Sequence, residues 1–465
     1  MKPVVLWTDW AVLVVLAGAA FYAWQVVRTP HLAATWRRAF VRPVGSVTAT
    51  ILALVAAIGV IDSLHFRERL ADAGGQVAYS PVTRSALDVI LARQESGRET
   101  TYSRPLAYLG YQKELIEVDG RPVRDFPRLR YGGAHLKDPA REWAGDVLGR
   151  IALGLFAGAL ASAVMVVLVA AARARRQRIA FAASLRDIAR ARTEYPLRAV
   201  LITLGALALL IGPIAVLASA YHVFGTDRTG NDLLYLALKS IRTALVIGTM
   251  TTLVTLPIAV ALGVAAGYLR GWVDEVIQYV YTVLNSIPYL LLLAAAVLIL
   301  IIFIDNNPEL FQTAAERTDA RLFFLCVILG VTSWTELARL IRGEVLRLRE
   351  LEYIQAAQAF GVKTWQIMTV HLVPNLMHVI LINVVIAFSG LVLAEAILSY
   401  VGVGVDPSMA SFGTLINTAR AELSREPAIW WTLATAFTFM FVIVLSANLF
   451  ADAVRDAFDP RFIGK

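Results

Sequence analysis

Chemistry has few places to reside in this chain, and the residue types show where they are. Ionisable side chains inside or beside long apolar runs are costly to bury and are candidate working groups. Glu395 stands about six residues before the end of one such run at Val401. Its carboxylate either faces a pathway or gate, or makes structural hydrogen bonds near the interface. Lys239 and Arg242 precede another run and read as anchors whose stems lie on apolar surface while the charge stays in water. Asp227 and Asp232 share a Gly-containing loop, and with no histidine seen nearby they read as turn and cap residues. No Gly-xxxx-Gly-Lys-Ser/Thr loop occurs, since Gly361-Val-Lys-Thr lacks the first glycine and the Gly-Lys adjacency. His-Glu-xx-His and Gly-x-Ser-x-Gly are also missing. The single cysteine, Cys326, lies within an apolar run and supports no disulfide framework. The chain therefore reads as no enzyme, and no cofactor or metal is called for.

The other candidate is a polar segment, Glu352-Tyr-Ile-Gln-Ala-Ala-Gln-Ala-Phe-Gly361, continuing through His371-Leu-Val-Pro-Asn375 between apolar runs. From Glu336 to Phe360, Leu337, Leu340, Ile341, Val345, Leu348, Leu351 and Ile354 recur at helical spacing and predict one apolar stripe, with Arg339, Arg342, Arg347 and Glu350 around it. Ala356, Ala357 and Ala359 are small enough for a second protein to approach closely. Gly361 can take a positive φ and end that helix, and Pro374 can start the next. A short helix held between two span ends moves rigidly with them, so the segment has the form of a docking and coupling loop.

These elements need a membrane scaffold, and the composition supplies one. Hydrophobic residues make up 58% and charged residues 17%, which is far from a soluble balance. Nine runs are long enough to cross a bilayer as helices: Trp10 to Val27, Val44 to Leu64, Val147 to Ala172, Leu197 to Tyr221, Ala244 to Leu269, Val280 to Ile304, Leu322 to Ile341, Met377 to Val401 and Ile429 to Phe450. The net charge of +8 sits between the runs, which argues against nucleic acid as a partner. Arg173, Arg175, Arg176, Arg178, Arg186, Arg190, Arg192 and Arg198 crowd one loop with only Asp187 and Glu194 as acids, which places it in the cytoplasm. Counting from there puts the N-terminus outside and the C-terminus inside. Arg28, Arg37, Arg38, Arg42, Arg339, Arg342, Arg347, Arg349 and the Gln355 helix then fall inside, and the segment Arg67 to Asp146 falls outside. The first run is too weakly charged at its start for a standard signal peptide and reads as retained.

The chain divides into residues 1–198, with three spans and an outer segment at about 65–146, and residues 199–465, with six spans and a cytoplasmic loop at about 342–376. In the outer segment, Ser80-Pro81 predicts a helix start, with Leu87, Ile90 and Leu91 on the helix and Gly97 at its end. Glu114–Val118 followed by Asp119-Gly120 reads as strand and turn, with Pro122 weakening the return strand. Gly154-xxx-Gly158, and Gly263-xxx-Gly267 continued at Gly271, predict close helix packing. Pro288 after Asn285-Ser286 reads as a span entry, and Trp430-Trp431 as an interfacial aromatic belt.

Gln355, Ala356, Ala357, Gly361 and Pro374 resemble the cytoplasmic "EAA" loop of ABC-importer permeases, with Gln355 where Glu is usual. Phe224-Gly-Thr-Asp-Arg-Thr-Gly-Asn-Asp232, with Asn231 where Arg is common, is similar to a segment of the second permease subunit of oligopeptide, dipeptide and nickel importers. So are Leu398-Ser-Tyr-Val-Gly-Val-Gly404, with Phe412 in place of Trp, and Asn448-Leu-Phe-Ala-Asp-Ala-Val-Arg-Asp-Ala-Phe-Asp-Pro-Arg461. The resemblance runs from about residue 221 to 465, and the first three spans lie outside the usual pattern.

The resemblance implies an all-α polytopic membrane protein: a type I ABC-importer transmembrane domain of six spans preceded by about three extra spans and an outer soluble segment. It implies a bacterial inner-membrane permease that forms the pathway for peptides or similar solutes. Its implied partners are ABC ATPase subunits, a second permease as heterodimer, a periplasmic solute-binding protein and membrane lipid. Glu352, Gln355, Ala356, Ala357, Gly361, His371, Pro374 and Asn375 then form the ATPase-coupling loop, with His371 positional rather than a proton carrier. Two rivals stand beside this reading. One is a secondary transporter, which calls for paired broken helices and mid-membrane charges. The other is a membrane-anchored sensor or enzyme working through Arg67 to Asp146.

Overall fold

The computed structural model describes residues 2–70, 79–118, 121–311 and 313–458. The Asp119-Gly120 turn and the tail residues Asp459 to Arg461 lie outside them. Among the described residues, nine helices are long and apolar enough to cross a membrane. The chain opens with β1 (Lys2–Val4), α1 (Trp7–Arg28), α2 (Pro30–Val41) and α3 (Pro43–Asp62). Pro30 and Pro43 each begin a helix, where the missing N–H has no intrahelical partner to lose.

A small cap follows: β2 (His65–Arg69), β3 (Tyr79–Ser85), α4 (Ala86–Ile90), α5 (Ala92–Ser96), β4 (Glu114–Val118) and β5 (Arg121–Asp125). β1, β2 and β3 form an antiparallel sheet in which Val4 faces His65 and His65 faces Ser85, so the N-terminus is stitched to the cap. The helix expected from Ser80-Pro81 is strand instead. It begins at Ala86, where the Ser85 hydroxyl accepts the Asp88 N–H and the Asp88 carboxylate accepts the Ser85 N–H. Gly97 ends the helical stretch as expected. β4 and β5 pair with Glu117 opposite Pro122, since a two-stranded ribbon has an open edge that spares a missing donor.

The remaining helices are α6 (Pro139–Gln177), α7 (Phe181–Ala189), α8 (Leu197–Ala218), α9 (Leu233–Leu269), α10 (Gly271–Ser286), α11 (Tyr289–Asn306), α12 (Ala314–Leu348), α13 (Glu352–Ala359), α14 (Thr364–Gln366), α15 (Val373–Val401), α16 (Phe412–Leu423) and α17 (Trp431–Phe458). One membrane face carries the cap; the opposite, loop face carries α2, α7 and α13. The apolar run Val280 to Ile304 is not one helix. It breaks at Ile287, and Pro288 caps α11. Gly154 and Gly158 of α6 lie against Gly212, Pro213 and Ala208 of α8 so closely that an added Cβ would collide with backbone. Gly263 and Gly267 of α9 meet Ile341 and Val345 of α12 in the same way, but Gly271 faces open space and serves only a positive-φ turn (φ 58°).

Lys239 and Arg242 depart most from expectation. They lie within α9 and bind buried acids instead of reaching for water. Arg242 Nη2 donates to Thr8 Oγ1 (2.7 Å) and Asp9 Oδ1 (2.8 Å) and sits 3.6 Å from Asp319. Asp319 in turn accepts the Thr8 backbone N–H (2.9 Å), and His65 Nδ1 meets Asp9 at 2.8 Å. Lys239 Nζ bridges Asp62 (2.7 Å) and Asp88 (2.9 Å). The acids at residues 9, 62 and 88 come from the first block and both cations from the second.

A second joint lies beneath the cap. His222 Nδ1 meets Asp232 at 2.7 Å and its Nε2 meets Glu99 at 3.3 Å, so a histidine does stand beside Asp232. Asp232 also accepts the Leu234 and Tyr235 N–H groups as the α9 cap, and Asp227 orders its turn by accepting from Thr229 and Asn231. Glu99 accepts backbone N–H groups of Arg130, Tyr131 and Gly132. Trp431 is buried, with Nε1 on Thr226 O (3.1 Å); only Trp430 is exposed as an interfacial aromatic would be. Burial works against charge on His222, but Asp232 and then Glu99 outweigh it and raise its pKa to about 9. Because that lies above the unfolded value of about 6.5, the joint stabilises fully below pH 6.5 and loses its contribution as pH rises through about 9. Limited proteolysis should find the cap resistant near neutral pH and readily cleaved above about pH 9. His222→Gln should be more cleavable throughout, with little pH dependence. Uniform resistance of the unmodified protein across that range would refute the joint.

Candidate coupling site

α12 delivers Ile341, Val345 and Leu348 to the loop face, where they are buried with Ile354, Ala357, Ile367, Leu372 and Leu376. The predicted stripe does not continue as one helix. Arg349, Glu350 and Leu351 form a turn, and Leu340 and Leu351 are exposed. Bonds to α9 and α10 hold this end of α12, the turn and α13. Arg342 binds Asp274 of α10 in a fork (2.6 and 2.7 Å), and that bond holds the Asp274 carboxyl below its usual range. Arg349 donates to the Tyr268 carbonyl (3.0 Å), and Gln358 donates to the Tyr268 hydroxyl (3.1 Å).

α13 ends in a Schellman arrangement. The Gly361 N–H bonds Gln358 O, the Val362 N–H bonds Ala357 O (both 3.0 Å), and Gly361 takes φ 74°. The expected glycine stop is present. The restart is not at Pro374: Lys363 precedes a helix beginning at Thr364, which widens into a π-turn over Ile367–Leu372 before α15. In that wider turn Val373 N–H reaches Met368 O, which accommodates a proline that would clash with an ordinary preceding turn. Asn375 Nδ2 links Tyr353 Oη of α13 (3.1 Å) to His371 O (2.6 Å).

The eight residues of the predicted loop therefore come together, but with divided roles. Glu352 lies exposed in the first turn of α13, where its charge suits the helix dipole. Gln355 and Ala356 are exposed, and Gln355 Nε2 donates to Glu350 O. Ala357 faces inward at 9% exposure and belongs to this chain's own core rather than to a contact face. Sequence reasoning missed the aromatic part of the outer face: Phe360 is 87% exposed and Trp365 69%, flanked by Tyr353 and Val370. Large apolar groups on a polar loop were the signal.

Glu395 is buried and hydrogen-bonded within the subunit. It is 2% exposed, its Oε1 accepts from Ser399 Oγ (2.7 Å), and Gly413 at the start of α16 leaves no room for a Cβ beside it. An open groove of about 500 Å³ does lie between α9, α12 and α15. It is lined by Thr252, Thr255, Ser333, Asn383 and the exposed Glu336, an acid inside an apolar run that the sequence already displayed.

A polytopic helical unit with a braced loop helix and a largely apolar groove carrying a few polar groups fits a membrane permease. Residues 259–464 match the family described as binding-protein-dependent transport system inner membrane component. The dipeptide transport system permease protein DppC of Bacillus subtilis is 31% identical over 243 residues, covering 52% of this chain and 70% of that protein. The oligopeptide transport system permease proteins OppC of Mycobacterium tuberculosis H37Rv (30% over 239 residues; 51% and 76% covered) and Escherichia coli K12 (31% over 240 residues; 52% and 72%) are similarly related. The chain belongs to this family of inner-membrane transport components, which are permeases and not enzymes.

The division of α13 into faces can be tested directly. Ala357→Asp places a carboxylate in an apolar core and should reduce accumulation of the protein, a cost on the order of several kcal/mol. Ala356→Asp should accumulate normally. Equal accumulation in membranes would contradict the assigned faces.

Proposed function

We propose that residues 199–465 form one half of the translocation pathway of a peptide importer, and that α13 with the Phe360–Trp365 turn couples it to a separate ATPase subunit. The observation that carries this reading is a helix tied to α9 through Gln358 and to α15 through Tyr353, with Phe360 and Trp365 left uncovered beside exposed Ala356. A push on that face moves α12 and α15 together, and both line the groove. Peptides are proposed as cargo because the relatives are named for dipeptide and oligopeptide transport. A second permease and a solute-binding protein complete the assembly, with the loop face cytoplasmic and the cap outside. Residues 1–198 form an extension that braces the permease from the cap face.

Phe360→Asp and Ala356→Asp should release the ATPase subunits during purification and abolish solute-stimulated ATP hydrolysis. An unpaired charge at a desolvated contact costs several kcal/mol, enough to cut association by roughly a hundredfold or more. Retained ATPases with coupled hydrolysis would remove α13 from the interface. For orientation, a cysteine replacing Glu114 should react with an impermeant thiol reagent in intact cells. Cysteines replacing Arg178 or Gln358 should react only after permeabilisation. The reverse pattern would invert the topology.

A further inference from the structure

The α6–α7–α8 elbow on the loop face carries a charge excess that the transport reading does not use. Only two acids lie there, and both are engaged: Asp187 by Arg173 (3.3 Å) and Glu194 by Arg37 (2.6 Å). Arg175, Arg176, Arg178, Arg186, Arg190 and Arg192 are exposed and have no ion-pair partner among the described residues. They surround α7, whose three edges differ. Ser184 and Ile188 are buried against α6 and α8, with Ser184 Oγ bonded to Ala170 O (3.0 Å). Phe181 and Leu185, one turn apart, are exposed. Arg186 and Arg190 occupy the next edge.

An exposed apolar edge between a docked edge and a cationic one suits a helix lying in the headgroup layer, with Phe181 and Leu185 among acyl chains and guanidinium forks at phosphate level. The elbow closes two membrane-spanning helices, so it is held at that depth. We propose that it is a binding site for anionic phospholipid, in which the unpaired arginines hold headgroup phosphates and Phe181 with Leu185 pack on the chains. Clusters of four to eight arginines and lysines beside a span or on an amphipathic helix attract anionic headgroups in general. Here charge complementarity is sharpened because the local acids are already neutralised.

The test uses full-length protein purified with its co-purifying subunits and exposed to equal phosphatidylglycerol and phosphatidylethanolamine, with retained lipid counted by native mass spectrometry. Unmodified protein should retain the anionic lipid several-fold in excess, and raising the salt should erode that excess as screening shortens. Combined Arg175, Arg176, Arg190 and Arg192→Gln should bring retention to parity, whereas the same four →Lys should keep most of it. If the Gln variant does not accumulate, Phe181→Gln with Leu185→Gln provides the second reading and should also lower retention. Parity in the unmodified protein, or full enrichment in the Gln variant, would overturn the proposal. So would displacement of the lipid by millimolar inorganic phosphate, which would mark a simple anion site.

Discussion

Desolvated charge fixes the relation between the two halves of this protein. Arg242 and Lys239 are withdrawn from water at the cap end of α9, and a cation so placed is tolerable only with paired acids and satisfied hydrogen bonds. Asp9, Asp62 and Asp88 supply them from the first block, and Asp319 supplies a fourth acid from α12. Neither block is electrostatically complete alone. Removing one partner leaves buried charge uncompensated, at about 3–5 kcal/mol in comparable pairs. The extra spans are therefore not merely appended. α1 and α3 pack on α9 and complete its polar end, and β1 carries the N-terminus into the cap sheet.

The two membrane faces are built by different means. At the cap face, ion pairs and the His222 joint lock many sequence-distant segments together. At the loop face, α13 is positioned by a Schellman stop, a π-turn and a few side-chain bonds, over a core that is almost wholly aliphatic. Polar locks are directional and break at high cost, while the aliphatic contacts among Ile341, Val345, Ile354 and Leu372 are non-directional packing that seats α13 against the ends of α12 and α15.

Much of this was legible in the sequence because length and hydropathy alone determine which segments can span a membrane. The runs were found, the Ala-rich helix and its glycine stop lie where expected, and Gly154, Gly158, Gly263 and Gly267 pack as small residues should. What was not legible depends on distant partners. Lys239 and Arg242 looked like interfacial anchors because their acids are separated from them by up to 233 residues. The histidine that meets Asp232 stands ten residues away in sequence, and its second partner, Glu99, another 123. Ala356 and Ala357 are indistinguishable by type, and only the rotation of α13 against Ile354 separates the exposed one from the buried one.

The burial of Glu395 shows how α15 is fixed at its cap end. Its carboxylate lies near the cap end of α15, bonded to Ser399 and pressed against the first turn of α16 through Gly413. α15 therefore begins at the loop face beside Asn375, which is tied to α13, and ends in a polar contact with the cap-side helix α16. In the proposed coupling role, a displacement entering at α13 would pass along α15 past the groove residues Asn383 and Val384 before reaching that end. On that reading the groove between the two ends is where the helices would part. Exposed Glu336 and the threonines of α9 line that place, while Asp9, Arg242 and Asp319 are taken up in one buried cluster.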